Sequence, residues 1–135
     1  MSLRPALLRH LKSPKLFAAI DRLPALVKPA GKRTFEVTNP ATGELLAELP
    51  DMGVEETRAA VAKAAAARQE WAALTARERS DMLWRWHQLI IDHTDDLAAI
   101  LTAEMGKPLA EAKSEVAHAA AYLQWYAEEA NRIYG

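Results

Sequence analysis

Glu111, Glu115 and His118 recur at i, i+4 and i+7 near the end of this 135-residue chain. Glu-x-x-His on a helix is the ligand spacing of carboxylate-bridged di-metal bundles. That chemistry takes a second Glu-x-x-His from a facing helix. The other histidines, His10, His87 and His93, have Leu7, Trp84 and Ile90 three residues before them, so the simpler reading is solvated carboxylates beside a half-buried imidazole. Lys107, just behind Gly106, is placed to meet an anion near the start of the same helix, but one lysine makes no phosphate site. Trp84, Trp86, His87 and His93 form an aromatic-rich segment, and aromatics at helical spacing predict core. The five glycines (Gly31, Gly43, Gly53, Gly106, Gly135) are scattered, with neither Gly-x-Gly-x-x-Gly nor Gly-x-x-x-x-Gly-Lys-Ser/Thr among them. The absence of cysteine removes disulfides, thiolate zinc sites and a cysteine nucleophile together. No serine lies in a nucleophile-elbow context. Read from its residues alone, the chain shows no active site.

A hairpin and three or four helices must carry these side chains. Phe35-Glu36-Val37-Thr38 alternates, Asn39-Pro40-Ala41-Thr42-Gly43-Glu44 is dense in turn formers, and Leu45 to Leu49 is a second short apolar run closed by Pro50. A hairpin alone is marginal in water, so this one must rest on another element. From Val54 the period becomes helical, with Val61, Ala64, Ala65 and Trp71 near one face and Glu55 and Glu56 in the first turn, where the helix dipole favours anions. Thr75-Ala76-Arg77-Glu78 is a capping box. The helix it opens carries Met82, Leu83, Trp86, Leu89 and Ile90 as its expected apolar face. Thr94-Asp95-Asp96 marks another start, leading through Leu97, Ile100 and Leu101 to an elbow: Gly106 takes the left-handed conformation that ends one helix, and Pro108 suits the first turn of the next. Leu109, Ala112, Val116, Ala119, Ala120, Leu123, Ala127 and Ala130 then continue the pattern almost to Gly135.

Half of the residues are apolar and the length suits one domain, but no apolar run approaches the roughly 20 residues of a membrane span. Residues 1–33 form a basic arm, with eight Lys/Arg against Asp21 for a balance of +7, and the remainder sums to −8. Pro5, Pro14, Pro24, Pro29 and Gly31 break this arm, predicting one short helix near Lys15 to Leu23 and otherwise irregular chain. An acid-poor basic start is also the pattern of an organellar transit peptide, so the expected location is the cytoplasm, or the mitochondrion if the arm is such a peptide. Nucleic acid is not an expected partner, because aromatic residues do not interleave with the basic ones and most of the chain would repel phosphate. A membrane is not expected either.

Val37-Thr38-Asn39-Pro40-Ala41-Thr42-Gly43-Glu44, the helix closing on Trp71, Thr75-Ala76-Arg77-Glu78-Arg79 and Glu104-Met105-Gly106-Lys107-Pro108-Leu109-Ala110-Glu111-Ala112-Lys113-Ser114-Glu115 together resemble the N-terminal region of NAD(P)-dependent aldehyde dehydrogenases. The Gly106 to Lys113 run and the ending Tyr122 to Gly135 look most like the succinate-semialdehyde dehydrogenase branch. The start departs from it: where the family has an Ile-Asn-Gly-Glu-Trp-like strand, this chain has Leu26-Val27-Lys28-Pro29-Ala30. The resemblance implies a mainly α segment with an N-terminal β-hairpin. Residues 34–135 would be the incomplete opening part of an α/β Rossmann-like cofactor domain.

In such enzymes a cysteine thiolate attacks the aldehyde, the thiohemiacetal passes hydride to the nicotinamide, and a glutamate activates water to release the acid. None of those groups can be assigned to this chain. It is therefore expected to be inactive and to bind neither NAD nor NADP alone, whereas the longer protein would use one of them on a small aldehyde as a homo-oligomer. The resemblance also implies a substrate-tunnel wall at His118, Ala119 and Tyr122, and a monovalent-cation site from backbone oxygens near Val37 and Thr38 with the acid Glu104. The hairpin and unpaired helix faces predict self-association of the segment. The other reading, of a different class, is a stand-alone helical interaction module derived from such an enzyme.

Overall fold

A computed structural model describes residues 2–3, 5–14 and 33–133. The helix expected near Lys15 to Leu23 and the segment Leu26 to Ala30 lie outside the described residues. In chain order the elements are β1 (Ser2–Leu3), α1 (Pro5–Leu8), β2 (Thr34–Thr38), β3 (Leu45–Pro50), α2 (Val54–Ala73), α3 (Ala76–Asp92), α4 (Thr94–Met105) and α5 (Leu109–Glu129). None of these helices is long and apolar enough to cross a membrane.

The expected hairpin forms, with Phe35 opposite Leu49 and Val37 opposite Ala47. Its turn is closed locally: the Asn39 N–H donates to Glu44 O at 2.9 Å, the Gly43 N–H to Asn39 O at 2.8 Å and the Ala41 N–H to Asn39 Oδ1 at 2.9 Å. The hairpin rests on other elements, as its marginal stability requires. Leu46 packs with Ala6 and Leu7 of α1 and with Ala103 and Ile100 of α4. The start of the chain is more ordered than its prolines suggest. β1 adds to the free edge of β3, pairing Ser2 with Glu48 and Leu3 with Ala47, and α1 begins on Pro5. Proline breaks a helix interior but fits its first position, where the missing N–H has no helical partner.

The capping box at Thr75 is present, with the Thr75 N–H donating to Glu78 Oε2 at 2.7 Å and the Glu78 N–H to Thr75 Oγ1 at 3.3 Å. Helix α3 runs antiparallel to α5, and two polar contacts seven residues apart on each helix fix their register. The Ser80 hydroxyl donates to Ala127 O at 2.6 Å, and His87 Nδ1 lies 2.9 Å from Ala120 O. A carbonyl only accepts, so Nδ1 carries the proton. Ala112, Ala120 and Ala127 are wholly buried, and α4 meets the same helix through Ala98, Leu97 and Leu101 against Ala112 and Val116.

Three expectations change. Trp86, placed by periodicity in the core, is 56% exposed, and Met82, Trp84 and Leu89 are exposed too. The inward face of α3 uses Ser80, Leu83, His87 and Ile90 instead, because an alanine seam brings the backbones too close for large rings while letting short polar groups reach the opposing carbonyls. Helix α2 buries none of its residues. Its Val54, Val61 and Trp71 are exposed, and its nine alanines sustain it by propensity. The third concerns the arm, whose strand and helical turn were not expected.

The elbow forms, with Pro108 standing just before the new helix as its N-cap rather than in its first turn. Gly106 has φ +82° and donates its N–H to Thr102 O at 2.9 Å, and the Ala112 N–H reaches Pro108 O at 3.0 Å. A methyl group on Gly106 would meet Pro40 Cγ at 3.0 Å, whereas one on Gly43, at φ +71°, would meet nothing within 4 Å. Gly43→Ala should therefore cost only the left-handed strain, about 1–2 kcal/mol. Gly106→Ala should cost measurably more, because Pro40 must also move. Denaturant midpoints of the two variants check this, and equal losses would refute the Pro40 contact.

Candidate functional site

The elbow sets the chemistry of α5's first turns. The Lys107 side chain, 12% exposed, folds back and its ammonium pairs with Glu115. The anion expected near the helix start is therefore the chain's own carboxylate, and half of the Glu115-x-x-His118 pair is already engaged. Glu111 is exposed. No group of three or more His, Asp or Glu suited to a metal ion occurs among the described residues.

Two turns further along, His118 and Tyr122 stack edge to face at 5.3 Å and 72°. They share a shallow pocket of about 270 Å³ with Ala121, Trp125 and Tyr126. His118, Ala119 and Tyr122 also line a second groove, of about 480 Å³, with Ser114 and Glu115. The three candidate wall residues thus lie together on one open face of α5. His118 is exposed rather than half-buried, because α3 and α4 pack on the alanine side of the helix. Trp125 and Tyr126, about 60% and 59% exposed, extend the same face. Periodicity marked the alanine stripe and left these aromatics as its complement, which was the available signal for them.

The cation candidates are spread over two elements. Val37 and Thr38 end β2 and Glu104 lies exposed in the last turn of α4, and the contact between Pro40 and Gly106 brings the hairpin turn against the elbow. Between these two turns lies a cavity of about 350 Å³ lined by His10, Asn39, Ala41, Thr102, Gly106 and Leu109, among others. Thr102 Oγ1 is buried with no hydrogen-bond partner among the described residues.

A further charged cluster stands at the start of α4. Asp95 Oδ1 accepts from the Lys113 ammonium at 2.6 Å, and Oδ2 accepts from that of Lys12. Lys113 and then Lys12 hold the Asp95 carboxyl down from 3.8 to about 2, and Asp95 in turn raises Lys12. Beside it, buried Asp96 accepts from the backbone N–H groups of Lys12 and Ser13, the latter at 2.9 Å. From the sequence these two acids were only a helix start. Of their partners, Lys12 and Ser13 lie more than 80 residues away, and no local pattern announces such a contact.

A family model described as the aldehyde dehydrogenase family matches residues 26–135. The chain belongs to the aldehyde dehydrogenase family. It is 63% identical over its whole length to a probable succinate-semialdehyde dehydrogenase [NADP(+)] of Sinorhizobium fredii, covering 28% of that protein. To a glutarate-semialdehyde dehydrogenase of Pseudomonas putida it is 56% identical over 76% of this chain and 22% of that one. A crystal structure of succinate-semialdehyde dehydrogenase from Burkholderia pseudomallei superposes with a TM-score of 0.75 at 46% identity, over 83% of this chain and 26% of that chain. This aldehyde dehydrogenase chain thus spans about a quarter of the length of the relatives it matches. Its fold, helices following a hairpin, is that of the opening part of the family's cofactor domain.

The Asp95 network has a pH signature. The folded chain holds Asp95 ionised down to about pH 2 and the unfolded chain only to about pH 4. The stabilisation is therefore complete above about pH 4 and is lost as the pH falls toward about 2. Asp95→Asn, which lacks this term, should show a shallower fall in melting temperature over that range than the parent. Parallel curves would refute the assignment.

Proposed function

We propose that this chain is the N-terminal part of an oxidoreductase that oxidises succinate semialdehyde, or a similar short aldehyde, to the acid with NADP or NAD. The observation that carries this reading is the 63% identity, over all 135 residues, to a relative named for that reaction. The glutarate-semialdehyde relative, at 56%, supports a short ω-carboxylated aldehyde as the substrate class. Residues 34–135 belong, on this reading, to the cofactor-binding domain. The residues present do not by themselves fit a dinucleotide: no glycine-rich strand-to-helix turn occurs, and the face holding His118 and Tyr122 is open. The chemistry falls to residues outside this segment.

Within the longer enzyme, His118, Ala119 and Tyr122 form part of the substrate-tunnel wall. The open face they share and the adjacent aromatics support that role. Backbone oxygens near Val37 and Thr38, with Glu104, hold a monovalent cation, a role supported by the apposition of hairpin turn and elbow. The exposed Met82, Trp86 and Leu89 support assembly into a homo-oligomer. The match to a bacterial protein extends through the basic arm, which supports a cytoplasmic protein over an organelle-targeted one.

A second reading, a stand-alone helical interaction module, is favoured by α2, which offers all its faces to a partner. Reading the coding sequence past the Gly135 codon separates the two. Continuation into a glycine-bearing strand-turn-helix and a later cysteine supports the enzyme, and a stop codon supports the module. The continued protein should reduce NADP in the presence of succinate semialdehyde, and the 135-residue chain should not. His118→Ala in that protein should raise KM for the semialdehyde by roughly tenfold or less, one contact of about 1.4 kcal/mol, with a smaller effect on kcat. Turnover by the 135-residue chain alone would overturn the proposal.

A further inference from the structure

Residues 5–13 lie as a strap over the sheet and the start of α4. Ala6 and Leu7 are buried against Leu46 and Ala103. Arg9 Nη2 reaches Glu44 Oε2 of the hairpin turn at 2.6 Å. His10 lines the cavity that also contains Asn39 and Thr102, and Leu11 is buried. The strap then ends on two acids, with the Lys12 ammonium on Asp95 and the Lys12 and Ser13 amides on Asp96.

These fastenings are unequal. The Lys12 and Arg9 side chains are 75% and 58% exposed, and exposed pairs contribute little and are screened by salt. Asp96 is 2% exposed. Its carboxylate replaces water with two backbone donors, and without them a buried charge is left unpaired. The apolar cluster under the strap is also separate from the one that joins Ala98, Ala112 and Val116. Lifting the strap therefore need not disturb the seam between α3 and α5, and a unit with its own small set of contacts can open alone.

We propose that residues 5–13 form a strap latched by Asp96, closed over Leu46 and Ala103 while its carboxylate holds the Lys12 and Ser13 amides, and able to open as a unit while α3–α5 stay folded. The open state uncovers Leu46 and Ala103. Asp95, bridging Lys12 to Lys113 of α5, trims the closed position without holding it. Through His10 the strap borders the cavity between hairpin and elbow, distinct from the His118 face.

Native-state hydrogen exchange of the 135-residue protein tests this. In the parent, the Lys12 and Ser13 amides should exchange together, faster than those of the α5 core, and raised salt should leave their protection nearly unchanged. Asp96→Asn should speed their exchange by about 10- to 100-fold with α5 unaltered, and Asp95→Asn by no more than about fivefold. Unchanged protection in Asp96→Asn would overturn the latch. Should that variant fail to fold, the parent alone decides: strap amides that exchange only in step with α5 would overturn the independent opening.

Discussion

The closeness of α5 to its neighbours is the constraint on which the rest of this structure depends. Alanines at 112, 120 and 127 leave the inward side of α5 almost bare, so packing density can be reached only if the facing backbones come near. Once they do, the carbonyls of Ala120 and Ala127 are within reach of side chains as short as serine and histidine. Those contacts set register and polarity in a way that a purely apolar seam would not. The same closeness expels the tryptophans of α3 and turns the aromatic face of α5 outward. What is inside therefore determines what is available outside.

The elbow transmits this arrangement to the hairpin. Gly106 ends α4 in a conformation that points Pro108 into a new helix, and its missing side chain is the space that Pro40 occupies. Lys107 then ties the turn to Glu115 along the new helix. One short run thus fixes the angle between two helices, seats the hairpin turn and neutralises a carboxylate that looked like a metal ligand. A segment so constrained tolerates few alternatives.

The features legible in the sequence were those governed by local chemistry: the capping box at Thr75, the glycine and proline of the elbow, the Asn39 to Glu44 turn and the helical periods. The aldehyde dehydrogenase resemblance rested on the same runs. What could not be read was decided by contacts between distant residues. Which side of α3 faces inward depends on the size of residues on α5, so Met82, Trp86 and Leu89 satisfied the periodic pattern and still ended outside. Asp96 carried no local sign that its partners were the amides of Lys12 and Ser13. Pro5 breaks a helix interior but opens α1, and the residues around it do not say which position it holds. The face around His118 was placed by resemblance, with the geometry supplying its aromatic neighbours and its openness.

The long-range fastening of the strap also has a consequence for how the protein is made. The residues that bind Asp96 leave the ribosome more than 80 residues before Asp96 itself. Contacts within a helix or a hairpin close quickly, whereas one spanning so long a loop waits on chain entropy and on the synthesis of its partner. During elongation the apolar side of residues 6–11 has no seat, since Ala103 and Ile100 of its cluster are not yet present. Residues 6–11 consequently wait for α4 before they find their place, and their leucines are a natural stretch for a chaperone to guard until then.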